Sequence, residues 1–193
     1  MLYQETEKKS RIFLRIKDGK LISRDKDGKE SAFQKVQGVL KGIELKEHEF
    51  DNKKFKNWHI VMEDTLQGDV YDIAVARSSG AFKGIVRCLV TEQGLANLDD
   101  VSIETYLSKT GFTNTVVQAQ GQNLRWIDEK MPEATRVKVG DQEVVDDTAQ
   151  MNWIQTLVDR INARIAAEPA VTGIRKYSEI GNGSAAKTET GIQ

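Results

Sequence analysis

The chain has one cysteine, Cys88, so no intrachain disulfide can form. Cys88 lies in the apolar run IVRCLV, where a buried structural thiol is the ordinary reading. His48 and His59 are the only histidines, and no Cys/His cluster has zinc spacing, so no metal is expected. No uncharged apolar stretch approaches the ~18 residues of a membrane span. The beginning, MLYQETEKKSRIF, carries acids and lacks the apolar segment of a secretory signal. A cytoplasmic location is therefore expected. No glycine-rich loop has phosphate-binding or dinucleotide spacing, and no Ser, His and Asp set suggests a nucleophile. No cofactor is implied, and the chain does not read as an enzyme. Arg77-Ser78-Ser79-Gly80 lies between a strand and a helix, where its amides could meet an anion, but a capped helix start is the more ordinary explanation. The acidic pairs Asp99-Asp100 and Asp146-Asp147 each precede an element and also read as caps.

What is present is β pattern. SRIFLRI alternates, with Ile12, Leu14 and Ile16 on one side; Asp18-Gly19 is a two-residue turn signal and KLISR returns. A second turn follows at Asp27-Gly28. FQKVQGVLKGIELKEHEF then forms a long strand interrupted by Gly38 and Gly42, as a strand shared by two sheets of a small barrel requires. After a loop DNKKFK, NWHIVMED places Trp58, Ile60 and Met62 on one face, and DVYDIAVAR places Tyr71, Ile73, Val75 and Arg77 on one face. AFKGIVRCLV has helical spacing through Phe82, Ile85, Val86 and Leu89, with Ser78 or Ser79 as cap. DVSIETYL and TNTVVQAQ add two strands before NLRWI.

Three strands, a helix and two strands is the order of an OB-type Greek-key barrel. The expected fold class is mainly β (α+β). It comprises an N-terminal hairpin or arm over residues 1–30, a five-stranded OB-type barrel over 31–127, and a connector with C-terminal helix over 128–167. A small, polar tail over 168–193 reads as unstructured. The connector holds a hairpin, VKVGDQEVV, turning at Gly140-Asp141. The C-terminal helix, ended by Pro169, is amphipathic through Trp153, Ile154, Leu157, Val158, Ile161 and Ile165. It either packs on the barrel or joins two copies.

Net charge is −1, but residues 1–60 hold 15 Lys/Arg against 10 Asp/Glu and the remainder 13 against 19. A local positive face is one consequence; interleaving in space is the other. Aromatic and basic residues alternate where an OB barrel forms its ligand groove. These are Lys53, Lys54, Phe55, Lys56 and Trp58 after strand one, and Tyr71 and Arg77 on strand three. Lys109 and Phe112 lie between strands four and five, and Arg125 and Trp126 after strand five. Bases stack on aromatic rings and cations track phosphates. Trp58 and Tyr71, in phase with apolar neighbours, fit the core equally well. The pattern predicts binding of single-stranded DNA or RNA. An OB-type protein-interaction module, working through the C-terminal helix, is the alternative.

Three stretches carry a resemblance: FQKVQGVLKGIELKEHEFDNKKFKNWHIVMED, the strand ending ARSSGAFKGIV, and QGQNLRWI; VKVGDQEVVDDTAQMNWIQTLV fits the same pattern. Over residues 33–160 the chain resembles the single-stranded DNA-binding proteins of bacteriophages and prophages of gut Bacteroidetes. That resemblance implies an OB-fold and strand binding during phage replication or recombination. The chain lacks the acidic, Phe-ended tip by which bacterial single-strand binders recruit partners.

Overall fold

The computed structural model describes residues 10–140 and 142–167. Asp141, the Pro169 helix stop and the tail lie outside the described residues. Among the described residues, eleven strands and three helices follow in order: β1 (Arg11–Lys17), β2 (Lys20–Arg24), β3 (Glu30–Phe33), β4 (Lys35–Phe50), β5 (Lys53–Glu63), β6 (Val70–Ala76), α1 (Gly80–Leu89), α2 (Glu92–Ala96), β7 (Val101–Leu107), β8 (Thr113–Ala119), β9 (Gln122–Asn123), β10 (Thr135–Val139), β11 (Gln142–Asp146) and α3 (Thr148–Ala167). Nine strands form one mixed, strongly curled sheet in the order β3-β2-β1-β6-β5-β4-β7-β8-β9, and β10 and β11 form a separate hairpin.

Strand β4 makes the curl. Its first residues, Lys35–Gly38, pair with β7, and its remainder pairs with β5 up to Phe50. The switch falls between Gly38 and Val39, just ahead of a bulge between Leu40 and Gly42 that bends the strand within its ladder with β5. Gly38 is required there: a Cβ would stand 2.3 Å from the Glu63 carbonyl oxygen. Past Gly38, the edge of β4 that β7 has left is taken by other partners. The Leu40 N–H donates to the Leu98 carbonyl at 2.8 Å. The Asn162 side chain meets both polar groups of Ile43, accepting from its N–H at 3.0 Å and donating to its carbonyl at 2.8 Å. One α3 side chain thus substitutes for a neighbouring strand.

The expected closed five-stranded barrel is instead an open half-barrel among the described residues. Closure would need β6 to meet β8, but the β6 edge is taken by β1, which runs parallel to it from Arg11↔Val70 to Arg15↔Ala74. The N-terminal hairpin is therefore part of the main sheet. Its turn reaches the far wall through side chains: the Gly19 N–H donates to Thr113 Oγ1, and Thr105 Oγ1 donates to the Gly19 carbonyl, both at 3.1 Å. Glycine is needed at this turn because φ is +71° and a Cβ would lie 2.3 Å from the Leu107 nitrogen.

Inward-facing residues of the sheet meet α1 and α3 in one core that includes Ile60, Met62, Ile73, Phe82, Ile85, Ile103, Ile154 and Ile161. The α3 stripe is spent within the chain: Ile154, Leu157, Val158 and Ile161 are buried, while Trp153 and Ile165 are half-buried. Helix α1 starts after Ser79, whose side chain makes no cap bond; α2 is capped by Thr91, which accepts from the Gly94 N–H at 3.1 Å. No helix among the described residues is long and apolar enough to cross a membrane.

Candidate nucleic-acid interface

The expected basic loop after the long strand is a two-residue turn. Asp51 and Asn52 have φ of +51° and +56°, the backbone of a tight primed turn that matches strand twist. Lys53, Lys54, Phe55 and Lys56 therefore stand on β5, and the pleat divides them between its faces. In phase with Trp58 are Lys54 and Lys56, both paired with Glu47 at 3.2 and 3.6 Å. In phase with His59 are Lys53 and Phe55.

Trp58 belongs to the core. It is 2% exposed and its ring stacks on Phe82 at 4.8 Å between centroids and 9° between planes. No face of the ring remains for a base. Tyr71, opposite Met62, is half-buried and donates its hydroxyl to Asp64 at 3.0 Å. Burial, then Asp64, raises its pKa. Asp64 is lowered by the Leu66 N–H first, with Gln67 and Tyr71 adding to that against the opposing effect of burial.

The outer face of β1, β6, β5 and β4 carries a different set. The register aligns Phe13 with Asp72, Arg15 with Ala74, His59 with Ala74, Asn57 with Ala76, and Phe55 with His48. Phe13 is 61% and Phe55 46% exposed. By strand rise and spacing they lie on the order of 20 Å apart, with small or polar residues between them. The Arg11 guanidinium sits 5.5 Å from the Phe13 ring centre. Cations outnumber acids on this face: Arg11, Arg15, Lys17, Lys20, Arg24, Lys46 and Lys53 stand against Glu30, Glu44, Glu63 and Asp72. Arg15 and Arg24 share Glu30, and Lys46 meets Glu44 at 2.6 Å.

Beneath the cations runs a hydrogen-bonded chain. Arg11 donates to Asp72 at 2.5 Å, Asp72 accepts from His59 Nδ1 at 2.6 Å, and His59 Nε2 lies 3.0 Å from His48 Nε2. Asp72 is 1% exposed and His59 5%. Burial pushes the Asp72 carboxyl up, but the bonds and charges of His59 and Arg11 outweigh it and hold the group below its ordinary range.

The remaining expected residues fall in two places. Arg77 is joined to the β5 end by its N–H, which donates to the Lys56 carbonyl at 3.3 Å. Lys109 and Phe112, both exposed, belong to the β7–β8 loop beside the Asp18-Gly19 turn. Because β1 is parallel to β6 and β5 antiparallel, that turn, Arg77 and the Lys53–Lys56 segment share one end of the sheet. Arg125 is exposed. Beside it, Trp126 lies against α1, with Arg87 over its ring at 4.4 Å.

Sequence reasoning missed Arg11, Phe13, Arg15, Lys46 and His48. The signal was in SRIFLRI: the phase opposite the apolar one reads Arg, Phe, Arg. Among the described residues no group of three His, Cys, Asp or Glu is placed to hold a metal ion. The Cys88 thiol is pushed up to about 11 by burial, which suits a structural role. No protein-family model, curated protein or solved structure matches the chain.

Proposed function

We propose that the protein binds single-stranded DNA, without catalysis, on the outer face of β1, β6, β5 and β4. The observation that carries this reading is the pair of exposed rings, Phe13 and Phe55, set among cations on one face. Bases stack on such rings without sequence preference, each contact contributing roughly 1–3 kcal/mol, while Lys and Arg follow the phosphates. The order of β4, β5, β6, α1, β7 and β8 supports reading the half-barrel as an OB-type fold opened by β1. In that fold the second and third strands, with the loops after the first and fourth, form the nucleic-acid groove. Here those parts correspond to β5, β6, the Asp51-Asn52 turn and the Ser108–Phe112 loop. The resemblance to phage and prophage single-strand binders supports a role in replication or recombination of mobile DNA in a bacterial cytoplasm. The polar groups of Asp72, His59 and His48 are turned on one another, which favours binding over reaction.

Fluorescence anisotropy of a labelled oligo-dT of about 30 nucleotides, longer than the ~4–16 covered by one OB fold, tests this. Binding that weakens as salt rises is expected, and no binding at low salt refutes it.

A second reading is a protein-interaction module. The β10–β11 hairpin favours it, because Val137, Val144 and Val145 are exposed on a two-stranded unit of marginal intrinsic stability.

A further inference from the structure

His48 and His59 are the only histidines in the chain, and they are bonded to each other on the face described above. Imidazole is the side chain that ordinarily titrates between pH 5 and 8. The geometry fixes where their protons go. Asp72 is ionised, so it only accepts, and the Nδ1 of His59 at 2.6 Å must carry the hydrogen. When His59 is neutral its Nε2 is a bare acceptor, and His48 Nε2 must donate across the 3.0 Å contact. When His59 takes a proton, its Nε2 donates instead, and His48 must be neutral with its hydrogen on Nδ1. The pair therefore accommodates one added proton with the bond kept, either by exchanging donor and acceptor or by taking the proton on the free Nδ1 of His48. A second added proton sets two N–H groups and two positive charges against each other at 3.0 Å, and the bond is lost.

The two rings are not equally free to respond. His59 is buried and anchored to Asp72, which Arg11 also holds at 2.5 Å. His48 is exposed. The charged groups facing the chain are Arg11 from β1, Asp72 from β6, and Glu44 and Lys46 from β4. Lys46 sits 2.6 Å from Glu44 and 3.9 Å from Asp72, so both nearby acids already have cations. On β5 the same-phase neighbours Phe55 and Asn57 are uncharged, and Lys53, next in phase beyond Phe55, adds a cation diagonal to His48.

We infer that His48 is a proton-operated latch: the second proton taken up by the histidine pair releases its ring from His59 and presents an imidazolium beside Phe55 for a backbone phosphate. The binding consequence rests on the function proposed above; the latch itself does not. One charge-assisted phosphate contact is expected to tighten oligo-dT binding roughly tenfold once the second proton is bound. It also steepens the salt dependence by about 0.7 in log–log slope.

Imidazole ¹⁵N NMR of the full chain across pH 4.5–8, with oligo-dT anisotropy on the same samples, tests the proposal. The expected result is opposite tautomers at pH 8, with His59 protonated on Nδ1 and His48 on Nε2. Two coupled titration steps follow. In His48→Gln, an exposed substitution that leaves His59 on Asp72, the two coupled steps collapse to one and the pH dependence of binding disappears. Histidines that titrate independently, each unmoved by replacing the other, overturn the latch. So does binding whose pH dependence survives in His48→Gln or is absent from the parent chain. Failure to bind at every pH refutes the nucleic-acid reading instead, and the NMR titration then decides the latch alone.

Discussion

Phe55 and Trp58 stand three residues apart on β5, and the strand's pleat sends them to opposite faces. Trp58 is closed between the sheet and Phe82, while Phe55 lies open on the outer surface opposite His48. On the inner face polar groups are few and apolar side chains fill the space under α1 and α3. On the outer face exposed large apolar side chains are few, and Phe13 and Phe55 stand there among cations. The same strand thus stabilises the fold through one face and leaves the other open for the binding proposed above. The two aromatics, alike in a sequence scan, should fail in different assays when removed.

The largest effect is expected from Trp58→Ala. Removing a fully buried ring costs about 3–5 kcal/mol, a large fraction of the roughly 5–15 kcal/mol that holds a domain folded. Urea unfolding should show the loss, and binding by whatever fraction stays folded should be normal. Phe13→Ala and Phe55→Ala invert this: stability should stay within about 0.5 kcal/mol, while each loses roughly 1–3 kcal/mol of affinity for oligo-dT. If either exposed ring proves important to stability and irrelevant to binding, the contrast between the faces collapses.

Asn162→Ala probes how the inner face is held. It strips both bonds from the Ile43 backbone and should cost roughly 1–3 kcal/mol, with hydrogen exchange accelerating first in α3. Leu157→Lys or Ile161→Lys should unfold the chain, since both residues are buried within it, and so cannot serve as a simple test of oligomerisation.

A smaller effect is expected from pH on Asp72. Its folded pKa is lowered from the ordinary 3.8, with burial opposing and the bonds from His59 and Arg11 prevailing. A carboxyl depressed in the folded state contributes stability that is complete above the unfolded pKa. That stability is lost as pH falls through the folded value. Stability measured by urea should therefore drop on acidification below the ordinary carboxylate range, and Asp72→Asn should flatten that part of the profile. The smallest effect is Glu47→Gln. Its pairs with Lys54 and Lys56 are exposed, so stability should change by less than about 1 kcal/mol.

Much of the fold was legible because short-range rules decided it. The Asp18-Gly19 hairpin, the bent strand β4, the helix after Ser79 and the amphipathic α3 each follow from periodicity and turn chemistry. Closure was not legible, because which strand takes the free edge of β6 depends on long-range pairing that Arg11–Arg15 does not announce. The Lys53–Lys56 segment was misread as loop because Asp51-Asn52 is a less familiar left-handed turn pair than one containing glycine. Trp58 was ambiguous by pattern, and only the Phe82 ring across the core decides it. Of the candidate site, Lys53 and Phe55 stand out in the sequence, whereas Arg11, Phe13 and Arg15 do not, because the apolar phase of SRIFLRI dominates its pattern.

The most direct measurement is the salt-dependent affinity of oligo-dT for the parent chain, Phe13→Ala/Phe55→Ala and Trp126→Ala, each first shown to be folded. The account predicts tight, salt-sensitive binding by the parent. It predicts a loss on the order of 2–6 kcal/mol in the double variant if the two rings act independently, and little change for Trp126→Ala. Unchanged affinity in the double variant, or loss only on replacing Trp126, contradicts it.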